Sequence, residues 1–109
     1  MDSNSRLIIE ERLADYQRQL DAVREKMKRL EESSPKIHIN LRYYISRLRK
    51  LKGKELDNKD ELNFARHQVK ALLADKEQIE KEYQELKQNE REILLYIKEL
   101  KVVDDPREM

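Results

Sequence analysis

Apolar side chains recur along this chain in alternating steps of three and four residues, and the longest such stripe lies within residues 59–101. This spacing keeps one face of an α-helix directed at a partner helix. That partner is another part of the chain, another copy of it, or a different protein. The stripe consists of Leu62, Ala65, Val69, Leu72, Lys76, Ile79, Tyr83, Leu86, Glu90, Ile93, Ile97 and Leu100.

Two earlier segments, at about residues 6–33 and 36–52, have the same spacing. Pro35 stands between them, and proline lacks a backbone N–H and clashes with the preceding helical turn. It is tolerated as a first helical residue, with Ser34 as the N-cap. The sequence therefore predicts a kink or short break near Pro35. The apolar positions are Ile9, Leu13, Tyr16, Leu20, Val23, Met27 and Leu30 in the first segment and Ile37, Leu41, Tyr44, Leu48 and Leu51 in the second.

A second break is predicted at residues 53–58, ahead of a third helical segment at about residues 59–101. The polar residues Glu55 and Asn58 occupy stripe positions there, and Gly53 is a weak helix former. Asn58 followed by Glu61 has the spacing of a capping box, in which two side chains satisfy free N–H groups at a helix start. We therefore expect the chain to reverse, or to exchange partner helices, between Lys52 and Glu61.

The three stripes share one phase, because Ile9 and Leu100 are 91 residues apart, or thirteen heptads. Unrelated helices would keep that phase only by chance. The sequence therefore predicts an all-α fold, an elongated coiled coil of two to three helical segments, with residues 1–109 forming a single coiled-coil module.

An antiparallel hairpin or an antiparallel dimer is favoured over a parallel dimer. In parallel dimers, β-branched residues favour heptad position a and Leu favours d. Here that order is largely inverted, because residues such as Leu13 and Leu20 fall at a, while residues such as Ile9 and Val23 fall at d. Pairing positions whose numbers sum to 113, such as Leu20 with Ile93, places the polar loop at the fold. Charged pairs beside the seam mix attraction with repulsion, so charge does not decide the direction.

Composition narrows the class of protein further. Charged residues make up 43% of the chain and hydrophobic residues 38%, which is typical of coiled coils and leaves little apolar material for a thick core. The formal net charge of +1 points to no polyanionic partner for the whole chain. The chain has no cysteine, no signal-peptide pattern and no apolar run long enough for a membrane span. We expect a cytoplasmic or nuclear protein, either complete or a fragment of a longer one.

Catalytic and metal-binding chemistry find no support in the sequence. His38 and His67 are 29 residues apart, and no cysteine stands near either of them. The single glycine cannot build a glycine-rich phosphate loop, and the carboxylates lie among Lys and Arg on helix faces. We therefore predict no enzyme activity, no catalytic residue, no cofactor and no metal.

Two surfaces are candidates for partner binding. Apolar residues outside the stripe provide more apolar surface than a two-helix seam uses, namely Leu73, Leu94, Leu95 and Tyr96. Residues 42–54 contain six basic side chains and no acidic one. This stretch is either a solvated helix face or a polyanion contact made by Arg42, Arg47, Arg49, Lys50 and Lys52.

These observations predict a structural or interaction module, a coiled-coil scaffold or oligomerisation rod within a larger assembly such as the cytoskeleton. The partner is a second copy, giving a dimer, or another coiled-coil protein; nucleic acid is disfavoured. The alternative is a helical hairpin that docks a small GTPase, or a polyanion such as nucleic acid or anionic lipid. The predicted self-association core is Leu13, Tyr16, Leu20, Val23, Met27, Leu30, Leu41, Tyr44, Leu48, Leu51, Leu62, Val69, Leu72, Ile79, Tyr83, Leu86, Ile93, Ile97 and Leu100.

Overall fold

The structure, a computed structural model, describes residues 3–104 and consists of two long α-helices. Helix α1 spans Ser3–Lys50 with 48 residues, and α2 spans Lys59–Asp104 with 46. The described residues form no β-strand. The all-α class and the helical hairpin are therefore confirmed.

Of the kink or short break expected near Pro35, the break is wrong, because α1 continues through this residue as one helix, and the kink stays a prediction. The prediction of three segments at residues 6–33, 36–52 and 59–101 thus reduces to two helices. A proline inside a helix costs about 3 kcal/mol, since it removes a backbone hydrogen bond. Packing offsets that cost here: Ile37 is half-buried and Leu41 is buried, so the helix after Pro35 is held on its apolar side.

Contacts along the chain group its residues into two units, and both helices contribute to each. The terminal unit comprises Met1–Lys28 and Tyr83–Met109, and the loop unit comprises Arg29–Glu82. The single module of residues 1–109 stays a prediction.

In the terminal unit the start of α1 packs against the end of α2 in antiparallel orientation. The rings of Tyr16 and Tyr96 stack with their centroids 5.5 Å apart, and Arg24 Nε donates to Glu90 Oε2 at 3.1 Å. The numbers in these pairs sum to 112 and 114, close to the expected 113. The most buried side chains of this unit are Ile9, Leu20, Met27 and Ile93.

In the loop unit the chain reverses between the end of α1 and the start of α2. Arg47 forms an ion pair with Glu61, and the rings of Tyr44 and Phe64 meet edge to face with centroids 6.1 Å apart. The reversal lies within the segment from Lys52 to Glu61, as the sequence predicts. The most buried side chains of this unit are Leu41, Leu51, Leu62 and Ala65.

Gly53 ends the hairpin's first arm by adopting a left-handed backbone conformation, with φ of 88°. Glycine tolerates this region because it has no Cβ. The Gly53 N–H donates to Glu55 Oε1 at 2.9 Å, and the Lys54 N–H donates to the Leu51 carbonyl at 2.9 Å. The turn therefore depends on one backbone conformation and one carboxylate.

The start of α2 uses Asn58 as its cap, but the expected capping box is not formed. The Asn58 carbonyl accepts from the Leu62 N–H at 2.9 Å, as an N-cap carbonyl does. Its side-chain amide instead donates to the Lys54 carbonyl at 3.0 Å. The Glu61 carboxylate is engaged by Arg47, which the hairpin places beside it.

Replacing Gly53 should destabilise the hairpin through backbone strain alone, because a Cβ at this position would meet no atom within 4 Å. We expect Gly53→Ala to lower the free energy of unfolding by about 1 kcal/mol. Gly53→Asn should lower it less, since Asn tolerates the left-handed region better. Urea unfolding followed by circular dichroism measures both. Equal stability of the alanine variant and the natural chain would contradict the assigned turn.

Glu55 should make the turn sensitive to acid. The hydrogen bond from the Gly53 N–H lowers the pKa of the Glu55 carboxyl, and Arg66 adds to this electrostatically. A lowered pKa in the folded state means that the carboxylate stabilises the hairpin above its unfolded-state pKa. That contribution disappears as the pH falls through the folded-state pKa.

We expect Glu55→Gln to be less stable than the natural chain at neutral pH and equally stable in strong acid. Thermal unfolding at both conditions provides the measurement, and NMR titration of the Glu55 side chain reports its pKa directly. A stability difference that does not change with pH would show that the carboxylate charge does not hold the turn.

Candidate interaction surfaces

The stripe positions lie in the seam between α1 and α2 within each unit. Every stripe position from Ile9 to Leu51, in α1 and the turn residue after it, and from Leu62 to Leu100 in α2, is buried or half-buried. The predicted self-association core is therefore already covered by a helix of the same chain. Association of two copies through these residues would require the hairpin to open and exchange an arm.

Polar residues within the seam have partners of their own. Glu90, at a stripe position, accepts from Arg24 of the other helix, and Lys76 lies 4.0 Å from Glu80 on its own helix. These side chains remain partly exposed, so each ion pair contributes little free energy. The seam therefore tolerates Glu90 and Lys76 at stripe positions, because each side chain has an ionic partner and neither is fully buried.

The terminal unit has an exposed apolar surface outside the seam. Leu94, Leu95 and Tyr96 are 42%, 57% and 46% exposed, although Tyr96 also stacks on Tyr16. Leu73, the fourth predicted member, is exposed but belongs to the loop unit. We call the following set of exposed apolar residues the terminal apolar surface: Leu7, Ile8, Leu94, Leu95, Tyr96, Val102 and Val103. The sequence does not indicate Leu7, Ile8, Val102 and Val103, because they stand near the helix ends.

The predicted polyanion contact divides into two kinds of residue. The Arg47 guanidinium is engaged by Glu61, whose hydrogen bond and charge raise the pKa of Arg47 above its ordinary value. Arg47 is therefore already paired within the hairpin. The remaining members of the predicted contact are exposed, namely Arg42, Arg49, Lys50 and Lys52.

An aromatic cluster in the loop unit combines Tyr43, Tyr44 and Phe64. The rings of Tyr43 and Tyr44 are edge to face at 5.0 Å, and Phe64 of α2 approaches Tyr44 from the other helix. The sequence draws attention to the two adjacent tyrosines, but it does not indicate Phe64, which lies outside the stripe. Half-buried Tyr44 thus links the two more exposed rings.

The described residues offer little for a metal or a small ligand. No group of three or more His, Asp or Glu side chains within residues 3–104 is placed to hold a metal ion. An open hollow beside Pro35 is lined by His38, Ile39 and Arg42 together with other residues of α1 alone. Neither of the described helices is long and apolar enough to cross a membrane.

No protein-family model, characterised protein or solved structure matches this chain. Function can therefore be argued from the seam, the terminal apolar surface and the exposed residues of the predicted polyanion contact.

A comparison of two leucines should separate the seam from the surface. Leu20 is 2% exposed and Leu73 is 49% exposed, and both lie within helices. We expect Leu20→Ala to lower the free energy of unfolding by about 2–5 kcal/mol, the usual cost of removing a buried leucine. Leu73→Ala should change it by less than about 0.5 kcal/mol. Equal effects in urea unfolding would contradict the burial of Leu20.

Proposed function

We propose that this chain is an interaction module that dimerises through the terminal apolar surface, as part of a scaffold. The observation that supports this proposal is the exposure of three consecutive apolar residues, Leu94, Leu95 and Tyr96, in a helix whose residues outside the stripe are mostly polar or charged. A helix of the hairpin can cover only one face of its partner. Exposed apolar residues grouped beyond that face are typical of protein contact sites.

Helical geometry supports the need for a second partner. Ile93 is buried and Ile97 is half-buried in the seam with α1, and these two residues are four apart, on one face of α2. Successive residues in a helix are rotated by about 100°, so Leu94 and Leu95 lie on faces away from that seam, while Tyr96 lies at its edge against Tyr16. Leu95 and Val102, seven residues apart, lie on one line along this outer face.

A second copy is the occupant that we propose, because the terminal unit is close to neutral. Residues 1–28 contain six acidic and six basic side chains, and residues 83–109 contain seven acidic and five basic ones. Two such units would repel each other only weakly. Apolar burial, worth about 25 cal/mol per Å² of apolar surface, then dominates the contact.

Sedimentation equilibrium at micromolar to millimolar concentrations tests this dimer. We expect Leu95→Gln combined with Val102→Gln to weaken dimerisation at least tenfold, or about 1.4 kcal/mol, while circular dichroism stays unchanged. The matched control, Ile39→Gln with Leu73→Gln, removes two equally exposed helical side chains from the loop unit and should leave the dimer intact.

A natural chain that remains monomeric over this range would overturn the homodimer and leave a different protein as the occupant. Dimers that persist in the Leu95 and Val102 variant, but not in the control, would assign the contact to the loop unit instead.

A further inference from the structure

The hairpin brings together two segments that contain no acidic residue. In α1 and the following turn, residues 33–54 include no Asp or Glu, and in α2 the same holds for residues 62–74. Both segments belong to the loop unit, and contact between Tyr44 and Phe64 joins them across the seam. Sequence reading identifies only the first segment as basic. The fold adds the second one beside it.

Basic side chains of the two segments, together with Lys59 at the start of α2, share one edge of the hairpin. Arg47 and Glu61 meet across one edge of the seam. Arg42 and Arg49 are two helical turns apart, about 10.5 Å at 1.5 Å per residue, on the side of α1 away from that pair. On α2 the same side carries basic residues at positions 59, 66 and 70. We define the basic face as Arg42, Arg49, Lys52, Lys59, Arg66 and Lys70, all of which are exposed.

Few acids lie near this face in the sequence: five of its six members belong to the two segments without acids, and Lys59 is followed by Asp60. Arg47 is paired with Glu61 and is therefore not a member. Glu55 interacts electrostatically with Arg66, so Arg66 is the member whose charge is partly offset. The loop unit as a whole, Arg29–Glu82, contains 13 basic and ten acidic side chains, and six of the 13 basic ones belong to this face.

From this arrangement we infer that the basic face binds the phosphate backbone of duplex nucleic acid without reading the base sequence. Charges repeated along two helices over about 15 Å match a polymer of closely spaced phosphates better than a single anion. Three of the six residues are arginines, which form bidentate hydrogen bonds with phosphate.

A single strand of nucleic acid fits this face less well than a duplex does. The exposed rings of Tyr43 and Phe64 lie toward the edge occupied by Arg47 and Glu61, so they are not placed to stack on the bases of a single strand held by the basic face. Apolar side chains beside the face could insert into a lipid surface, since Ile45 is 36% and Ile39 is 66% exposed, so the vesicle measurement described below separates a lipid surface from a duplex. Electrostatic contact with a duplex backbone needs neither feature.

The test measures binding of the full chain to a fluorescein-labelled duplex DNA of mixed sequence by fluorescence anisotropy at several salt concentrations. If about four side chains contact phosphates, the log-log slope of affinity against salt is about −3.6. Affinity should then fall about a hundredfold when the salt rises fourfold. A duplex of different sequence should bind equally well.

Matched variants locate the contact. Arg49→Gln with Lys70→Gln removes one charge from each helix of the basic face, and we expect the slope to become smaller in magnitude by about 1.8. The control, Arg12→Gln with Lys98→Gln, makes the same change in net charge on exposed residues of the terminal unit and should keep the slope of the natural chain. Circular dichroism checks that both variants remain helical.

Lys70→Gln alone distinguishes a face built by the hairpin from a contact made by the α1 segment alone, because Lys70 lies outside residues 42–54. It should reduce the magnitude of the slope by about 0.9. Absence of duplex binding at low salt would overturn the proposal, and so would equal losses in the face variant and the control. Binding to phosphatidylserine vesicles without binding to DNA would overturn it in favour of a membrane surface. A failed dimer test would not affect these outcomes, because they depend on the loop unit.

Discussion

Burial of one apolar stripe from each helix is the interaction on which the rest of the structure depends. Neither helix has a second apolar stripe that runs along its whole length, and most of the stability of a helix in a protein comes from the packing of its apolar face. The seam fixes which residues remain outside it and therefore defines both exposed surfaces. The seam also offsets the free-energy cost of Pro35. The helix α1 stays helical through this proline because packing on α2 continues on both sides of it.

The seam could be predicted from the sequence because apolar residues recur with the spacing that places them on the helix face covered by a partner helix. Leu20, Leu41 and Ile93 stand at stripe positions, and all three are buried. The break at Pro35 was predicted wrongly because the local cost of proline is readable from sequence, whereas the packing energy that offsets it is not. Such local rules describe a helix in isolation.

Contacts that join residues distant in sequence could not be predicted in the same way. Asn58 and Glu61 have the spacing of a capping box, yet Arg47 engages Glu61 once the chain has turned back. Phe64 lies outside the apolar stripe, so its position in the sequence does not indicate a contact. Its ring meets that of Tyr44 because the two helices approach each other there. For the same reason Arg66 and Lys70 could not be assigned to one surface with Arg42 and Arg49 before the direction of the second helix was known.

The left-handed conformation of Gly53 has a consequence for the electrostatics of the protein. The two segments without acids are separated in sequence by the loop and the start of α2, and they become neighbours because the chain reverses. An antiparallel pair formed by exchange of arms between two copies would restore the same neighbours, now from different chains. A parallel pair would instead align each segment with itself. The charge distribution of the folded protein is thus a property of its topology as well as of its composition, and a single backbone torsion helps to select it.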